Sequence, residues 1–236
     1  TEKQVVVMAV VAFWSARLAA HLVTRRRLHD QAWKMDDLVE TVGPRLAKVA
    51  ALPVAFWGKS MFSFVACLSL YKLLASDFFL VHPVFMLGML MQLLGVVMET
   101  AADEQLEAFL TRRGVAHQVL DQHLWAWVRH PNYFGELMFW VGLWIAAGCE
   151  IGPSAAGPPM VALMLWTVSV PRLEEHMSST RRAAAYADYC LRVPCALLPL
   201  PFALARSLSR PASLRIPVSA SAPGRARGDD DGDDDD

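Results

Sequence analysis

The chain has 236 residues, 55% hydrophobic and only 19% charged, a balance that excludes an ordinary soluble domain and points to lipid as the solvent. Its formal charge of −1 is unevenly spread: the run Asp229–Asp236 holds seven aspartates, and without them the remainder stands at +6. A basic body suits a cytoplasm-facing membrane surface or an anionic cofactor, and no nucleic-acid-binding motif accompanies it.

A bilayer core of about 30 Å needs roughly 20 mostly apolar helical residues, and five such runs follow one another, so an all-α, polytopic bundle of five to six membrane helices is expected. Thr1 stands where an initiator Met would, which suggests a processed or partial chain, and no leader with a cleavage site precedes the first apolar run. That run, Gln4 to Val23, ends at Arg25, Arg26 and Arg27, a cluster that the positive-inside rule places on the cytoplasmic side. The second spans about Pro53 to Leu74, with Lys59 and Lys72 placed to snorkel. The third spans about Phe78 to Met98. Beyond it the stretch ETAADEQLEAFLTRRG carries helix formers and charges up to Gly114, so the helix is expected to project out of the bilayer. The fourth runs from about Asn132 to Gly148 and the fifth from about Pro158 to Leu173, leading directly into charge. An apolar patch with Leu197, Leu198, Leu200 and Phe202 is expected in the interface. Residues 1–205 thus read as one membrane domain. From Arg206 a Ser/Pro/Arg segment and the acidic run form a tail whose composition predicts disorder.

Cys67, Cys149, Cys190 and Cys195 form neither a CxxC pair nor a dense framework, so reduced thiols are expected. The seven histidines, His117, His123 and His130 among them, lack the clustering of a metal centre, and no metal is expected.

Chemistry is expected where polar side chains meet the apolar runs. In Arg129-His130-Pro131-Asn132-Tyr133-Phe134-Gly135-Glu136, five polar side chains crowd the start of the fourth span. With Pro131 in the first helical turn, the following N–H groups can meet an anion, and Arg129 can add a bidentate phosphate donor. Asn132 and Glu136, four residues apart, share a face, with Tyr133 beside them. Interfacial anchoring by Arg129, His130 and Tyr133 accounts for the same pattern equally well. Glu99, Asp103 and Glu107 also step by four, and Gln92 and Gly95 continue that stripe inward. Glu107 suits a solvated face, whereas Glu99, at the end of an apolar run, needs a partner. A third group follows the fifth span: Glu174, Glu175 and His176, then Arg181, Arg182, Tyr186, Asp188, Tyr189 and Arg192. An amphipathic surface helix explains Arg181 and Asp188 as well as a site does. His21 and His82 read as packed or interfacial residues.

RHPNYFGE, the preceding LWAWV, the ETAADEQLEAF pattern, VPRLEE with YADYCLR, and the early RLAAHLVTRRRLHD together resemble the steroid 5-alpha-reductase-like family, in its uncharacterised C-terminal-domain branch. More distantly, RHPNY resembles membrane methyltransferases for isoprenylcysteine and phospholipids. The resemblance implies a membrane oxidoreductase that takes hydride from NADPH to a carbon–carbon double bond of a lipid-soluble, steroid-like or isoprenoid substrate and, if the cell is eukaryotic, residence in the endoplasmic reticulum membrane. Carried over, it implies that Asp103, Asn132 and Glu136 contact the nicotinamide or ribose end, that Arg129 and His130 serve the phosphates, and that Tyr133 walls the pocket. Glu174, Glu175, Tyr186 and Arg192 would complete the site. The resemblance leaves the catalytic proton donor unassigned. The distant one implies the alternative, an S-adenosylmethionine-dependent methyltransferase for a lipid or prenylated acceptor.

Overall fold

A computed structural model describes residues 2–24, 52–76, 82–112, 117–180 and 182–199. Arg25–Arg27, Leu200, Phe202, the tail from Arg206 and the side chain of Lys59 lie outside the described residues. Within them all regular structure is helical: α1 (Glu2–Thr24), α2 (Leu52–Ala66), α3 (Leu68–Ala75), α4 (Pro83–Leu110), α5 (Pro131–Ala146), α6 (Gly157–Met164), α7 (Val170–Ser179) and α8 (Ala183–Arg192), with short 3-10 turns at His123–Ala126 and Pro153–Ala156.

Two helices are long and apolar enough by themselves to cross a membrane, within Glu2–His21 and Pro83–Leu110. The second expected span is two helices separated at Cys67, yet the hydrogen-bond ladder continues through the break, from Cys67 N to Ser63 O at 3.0 Å and from Tyr71 N to Cys67 O at 3.1 Å. The fifth is also composite: a π turn over Leu165–Ser169 joins α6 to α7. Pro171 lies just beyond, and its missing N–H leaves the carbonyl four residues earlier without its helical partner, a familiar cause of such a turn. α4 runs without interruption to Leu110, carrying the acidic stretch beyond the apolar run as expected.

α4 and α5 are antiparallel and meet backbone to backbone. A Cβ on Gly88 would stand 2.2 Å from Ala146 N, one on Gly95 2.6 Å from Gly135 O, and one on Gly142 2.7 Å from Gln92 N. The glycines recur at a seven-residue spacing on both helices, so one bare stripe faces the other along their length. This contact fixes the register of everything polar at its ends.

α1 touches the bundle along one narrow line, Lys3, Val7, Val10, Trp14, Arg17 and His21, whose three- and four-residue steps give the 3.5-residue seam of left-handed packing. Its start is tied to the end of α3: Lys3 Nζ donates to the carbonyl and, at 3.0 Å, the hydroxyl of Ser76, and Gln4 Nε2 to Leu74 O at 3.0 Å. Val7 packs with Leu73, Phe85, Met89, Leu143 and Ala146. Leu197, expected in the interface, is instead buried against Ala66, Leu137, Val161 and Leu165. Antiparallel packing brings the end of α4, the start of α5, the second half of α1 and the α7–α8 turn to one end of the bundle.

Candidate functional site

That shared end holds two ionic clusters. The first lies among α1, α4 and α5. Arg17 pairs with Glu99 through Nη2, and its Nη1 lies 3.4 Å from Asp103 Oδ2. The Trp14 indole N–H donates to Glu99 Oε2 at 3.0 Å, and His21 Nε2 lies 3.4 Å from Asp103 Oδ2. From α5, Asn132 Nδ2 donates to Asp103 Oδ1 at 3.4 Å. One turn deeper on each helix stand Glu99 and Glu136, with Gly135 against the backbone of Glu99. Glu136 lies in the field of Glu99, Arg17 and Asp103. Glu99 and Asp103 are buried, so their charges depend on these partners rather than on water. Below them Trp14 stacks on Phe139, with ring centroids 4.5 Å apart, and closes the cluster toward the apolar interior.

The second cluster ties the residues before α5 to the C-terminal segment. Arg129 Nε donates to Glu174 Oε1 at 2.9 Å, and its Nη1 donates to the carbonyls of Val193 and Pro194 at 2.8 and 3.0 Å. His130 Nε2 lies 3.3 Å from the same Glu174 oxygen, and the imidazole stacks on Tyr133 at 5.5 Å. The backbone adds two bonds, Arg129 N to Cys195 O at 2.9 Å and His130 N to Ala196 O at 3.1 Å. Burial works against charge on Glu174, but the hydrogen bond from His130 and the charges of Arg129 and His130 prevail and hold its carboxyl below the usual range. Burial keeps the His130 imidazole below its ordinary value despite Glu174. Burial also pushes the Tyr186 phenol up, so it remains protonated beside the pair.

The expected site residues therefore separate. Asp103, Asn132 and Glu136 come together with Glu99. Arg129, His130 and Glu174 come together as well, with Tyr133 against His130 and Tyr186 nearby. Glu175 is exposed, one residue and roughly 100° around the helix from the inward-facing Glu174. Arg192 lies at the surface, pairing with Asp121 at 2.5 Å. Three members of the first cluster were absent from the expected set: Trp14, Arg17 and His21. Arg17 was detectable, because an arginine inside an apolar run of spanning length needs a partner. The identity of that partner was not.

A helical bundle with a three-helix ionic site at one mouth is the class of protein that these contacts define. The chain belongs to the family described as a protein of unknown function (DUF1295), which matches residues 1–193 and so takes in every side chain of both clusters. No curated protein and no solved structure matches it.

Proposed function

We propose that the protein is a multi-pass membrane oxidoreductase that uses NADPH to reduce a carbon–carbon double bond of a lipid-soluble substrate, as the resemblance to the steroid 5-alpha-reductase-like family implies. The observation that carries this reading is the buried Arg17–Glu99–Asp103–Asn132 cluster, where three helices converge on ionic groups that packing alone does not require. Five rods, α1, α2–α3, α4, α5 and α6–α7, support the multi-pass reading. Their outward surfaces carry large exposed apolar residues, among them Phe13, Phe64, Leu90, Val97, Leu163 and Trp166, as lipid contact requires. The arginines that follow α1 in sequence assign the ionic end to the cytoplasmic side, and a eukaryotic cell would hold the protein in the endoplasmic reticulum membrane.

The residues fit one end of the cofactor better than the other. Asp103 and Glu99 accept hydrogen bonds from hydroxyls or an amide, and Asn132, donating to Asp103 through Nδ2, presents its carbonyl oxygen as a further acceptor. Arg17 Nε has no hydrogen-bond partner among the described residues, leaving a buried donor for a ligand acceptor. This set suits the nicotinamide and ribose. Arg129 and His130 suit the phosphates poorly, because Glu174 and two backbone carbonyls already engage them; here the two residues hold the C-terminal segment against α5. NADPH, when bound, would supply the hydride. The chain's own part is to orient the cofactor through Asp103 and Asn132, to hold Glu99 in place through Arg17 and Trp14, and to keep water from the apolar side with Trp14 and Phe139.

One feature favours the alternative reading, an S-adenosylmethionine-dependent methyltransferase. Glu99, Asp103 and Glu136 outnumber Arg17, and an acidic excess suits a cationic sulfonium. Thermal shift of the purified protein with each cofactor separates the two, since only a true ligand stabilises the fold by mass action. NADPH is expected to raise the unfolding midpoint and S-adenosylmethionine to leave it unchanged. Asp103→Asn should weaken NADPH binding by about tenfold, the loss of one charge-assisted hydrogen bond. Stabilisation by S-adenosylmethionine alone would replace the reductase reading.

A further inference from the structure

Arg17 is a fixed cation of the first cluster, and His21 is an adjustable one. It stands one turn beyond Arg17 on α1, with Nε2 3.4 Å from Asp103 Oδ2 and its side chain 10% exposed, so it touches the buried cluster and still meets water at the mouth. The charged groups around it are Arg17 on its own helix, Glu99 and Asp103 on α4, and Glu136 on α5, beside the neutral Asn132. Three carboxylates against one guanidinium leave the described cluster with an acidic excess, which an imidazolium reduces. Asp103 does not depend on that charge: Oδ2 also faces Arg17 Nη1, Oδ1 accepts from Asn132 Nδ2, and a neutral imidazole keeps one N–H to donate. Asparagine or tyrosine could make such a bond without a charge that changes near neutral pH, and arginine would hold its charge permanently. A histidine here can change charge and keep its contact.

The cofactor proposed for this cluster also changes charge. Its nicotinamide ring is neutral in NADPH and cationic in NADP+, and the rest of the molecule is the same in both. We infer that His21 is the residue that responds to this difference: it holds its proton at the cluster beside the neutral ring and gives it up beside the cationic one, so the total charge at the Arg17–Glu99–Asp103 site stays level between the two forms. This rests on reading the cluster as the nicotinamide site. The proton count is that of the reaction. A double bond takes a hydride on one carbon and a proton on the other, leaving the site with a cationic ring and a neutral imidazole, and His21 regains its proton from water at the mouth.

The test uses the full chain in lipid nanodiscs, wild type, His21→Gln and His21→Arg, with NADPH and NADP+ as probes and no substrate. NADPH binding is read by the cofactor's own fluorescence and NADP+ binding by competition against it, from about pH 6 to about pH 8.5, where an imidazole changes charge. The ratio of the two dissociation constants cancels the titration of the shared phosphates and of groups far from the ring. In wild type the preference for NADPH over NADP+ should rise about tenfold as pH falls across that range, a coupling of ordinary size. His21→Gln should fix the ratio at its high-pH value and His21→Arg at its low-pH value, so either variant carries the test if the other fails to fold. A ratio that stays constant with pH in wild type overturns the inference and leaves the reductase reading in place. So does a ratio that still changes in the variants, which would assign the titration to a carboxylate of the cluster. Binding of neither nucleotide by wild type removes the reductase reading, and this inference with it.

Discussion

Arg129 shows how one residue can suit two roles by chemistry and be claimed for one by geometry. A guanidinium beside a helix start is a natural phosphate donor, yet here its Nε and Nη1 hold Glu174 and the carbonyls of Val193 and Pro194. Arg129→Ala leaves a buried carboxylate and two carbonyls without their cation, so a loss of about 3–5 kcal/mol is expected, read as a lowered unfolding midpoint. NADPH affinity measured on the fraction that remains folded should change little. The same trio makes stability depend on pH. His130, held below its ordinary 6.5, takes up its proton at a lower pH in the folded protein than in the unfolded chain, so stability falls as pH drops from 6.5 toward the lower folded value. Glu174, held below its ordinary 4.5, contributes stability that is present above that value and is lost as pH falls through its lower folded value. Unfolding midpoints recorded from about pH 8 to about pH 3 should decline in two stages, and His130→Gln should flatten the first.

Among the elements, the α4–α5 pair governs the site. Its glycines let the backbones meet, and that register sets Asn132 beside Asp103 and Glu136 level with Glu99. Gly95→Ala would force a Cβ to within 2.6 Å of Gly135 O and 2.8 Å of Phe139 N, backbone atoms that cannot move aside. A loss of about 1–3 kcal/mol is expected, together with weaker cofactor binding as Asp103 and Asn132 separate. Gly58→Ala, on α2 with nothing within 4 Å, is the control, and it should leave the midpoint unchanged or raise it. Comparing the two midpoints and NADPH affinities checks both.

For the molecule as a whole, alternating helix directions put the ionic groups at one end and Lys3, Ser76, Cys149 and Glu150 at the other. If the ionic end faces the cytoplasm, the ends differ in access to a membrane-impermeant thiol reagent. In sealed vesicles with the cytoplasmic face outward, exposed Cys149 should stay unlabelled until detergent is added. A cysteine placed at exposed Gln122, near the other end, should react at once. The reverse pattern would invert the orientation.

By itself the sequence determined the helical class, the order of the apolar runs, the extension of α4 beyond its apolar stretch, and the polar start of α5. All of these follow from local composition, helix propensity and the position of Pro131. It also put Asn132 with Glu136, and Glu99 with Asp103, since a four-residue step puts side chains on one face of a helix; Asp103 joined Asn132 and Glu136 only through the family resemblance. Only the tertiary structure decided that Arg17, four turns into the first run, balances Glu99 and Asp103 more than eighty residues away, and that Arg129 and Glu174 form a separate cluster. Helical periodicity says which way a side chain faces on its own helix. The partner it meets depends on how helices are set against one another, and here two stripes of glycine on α4 and α5 set that register.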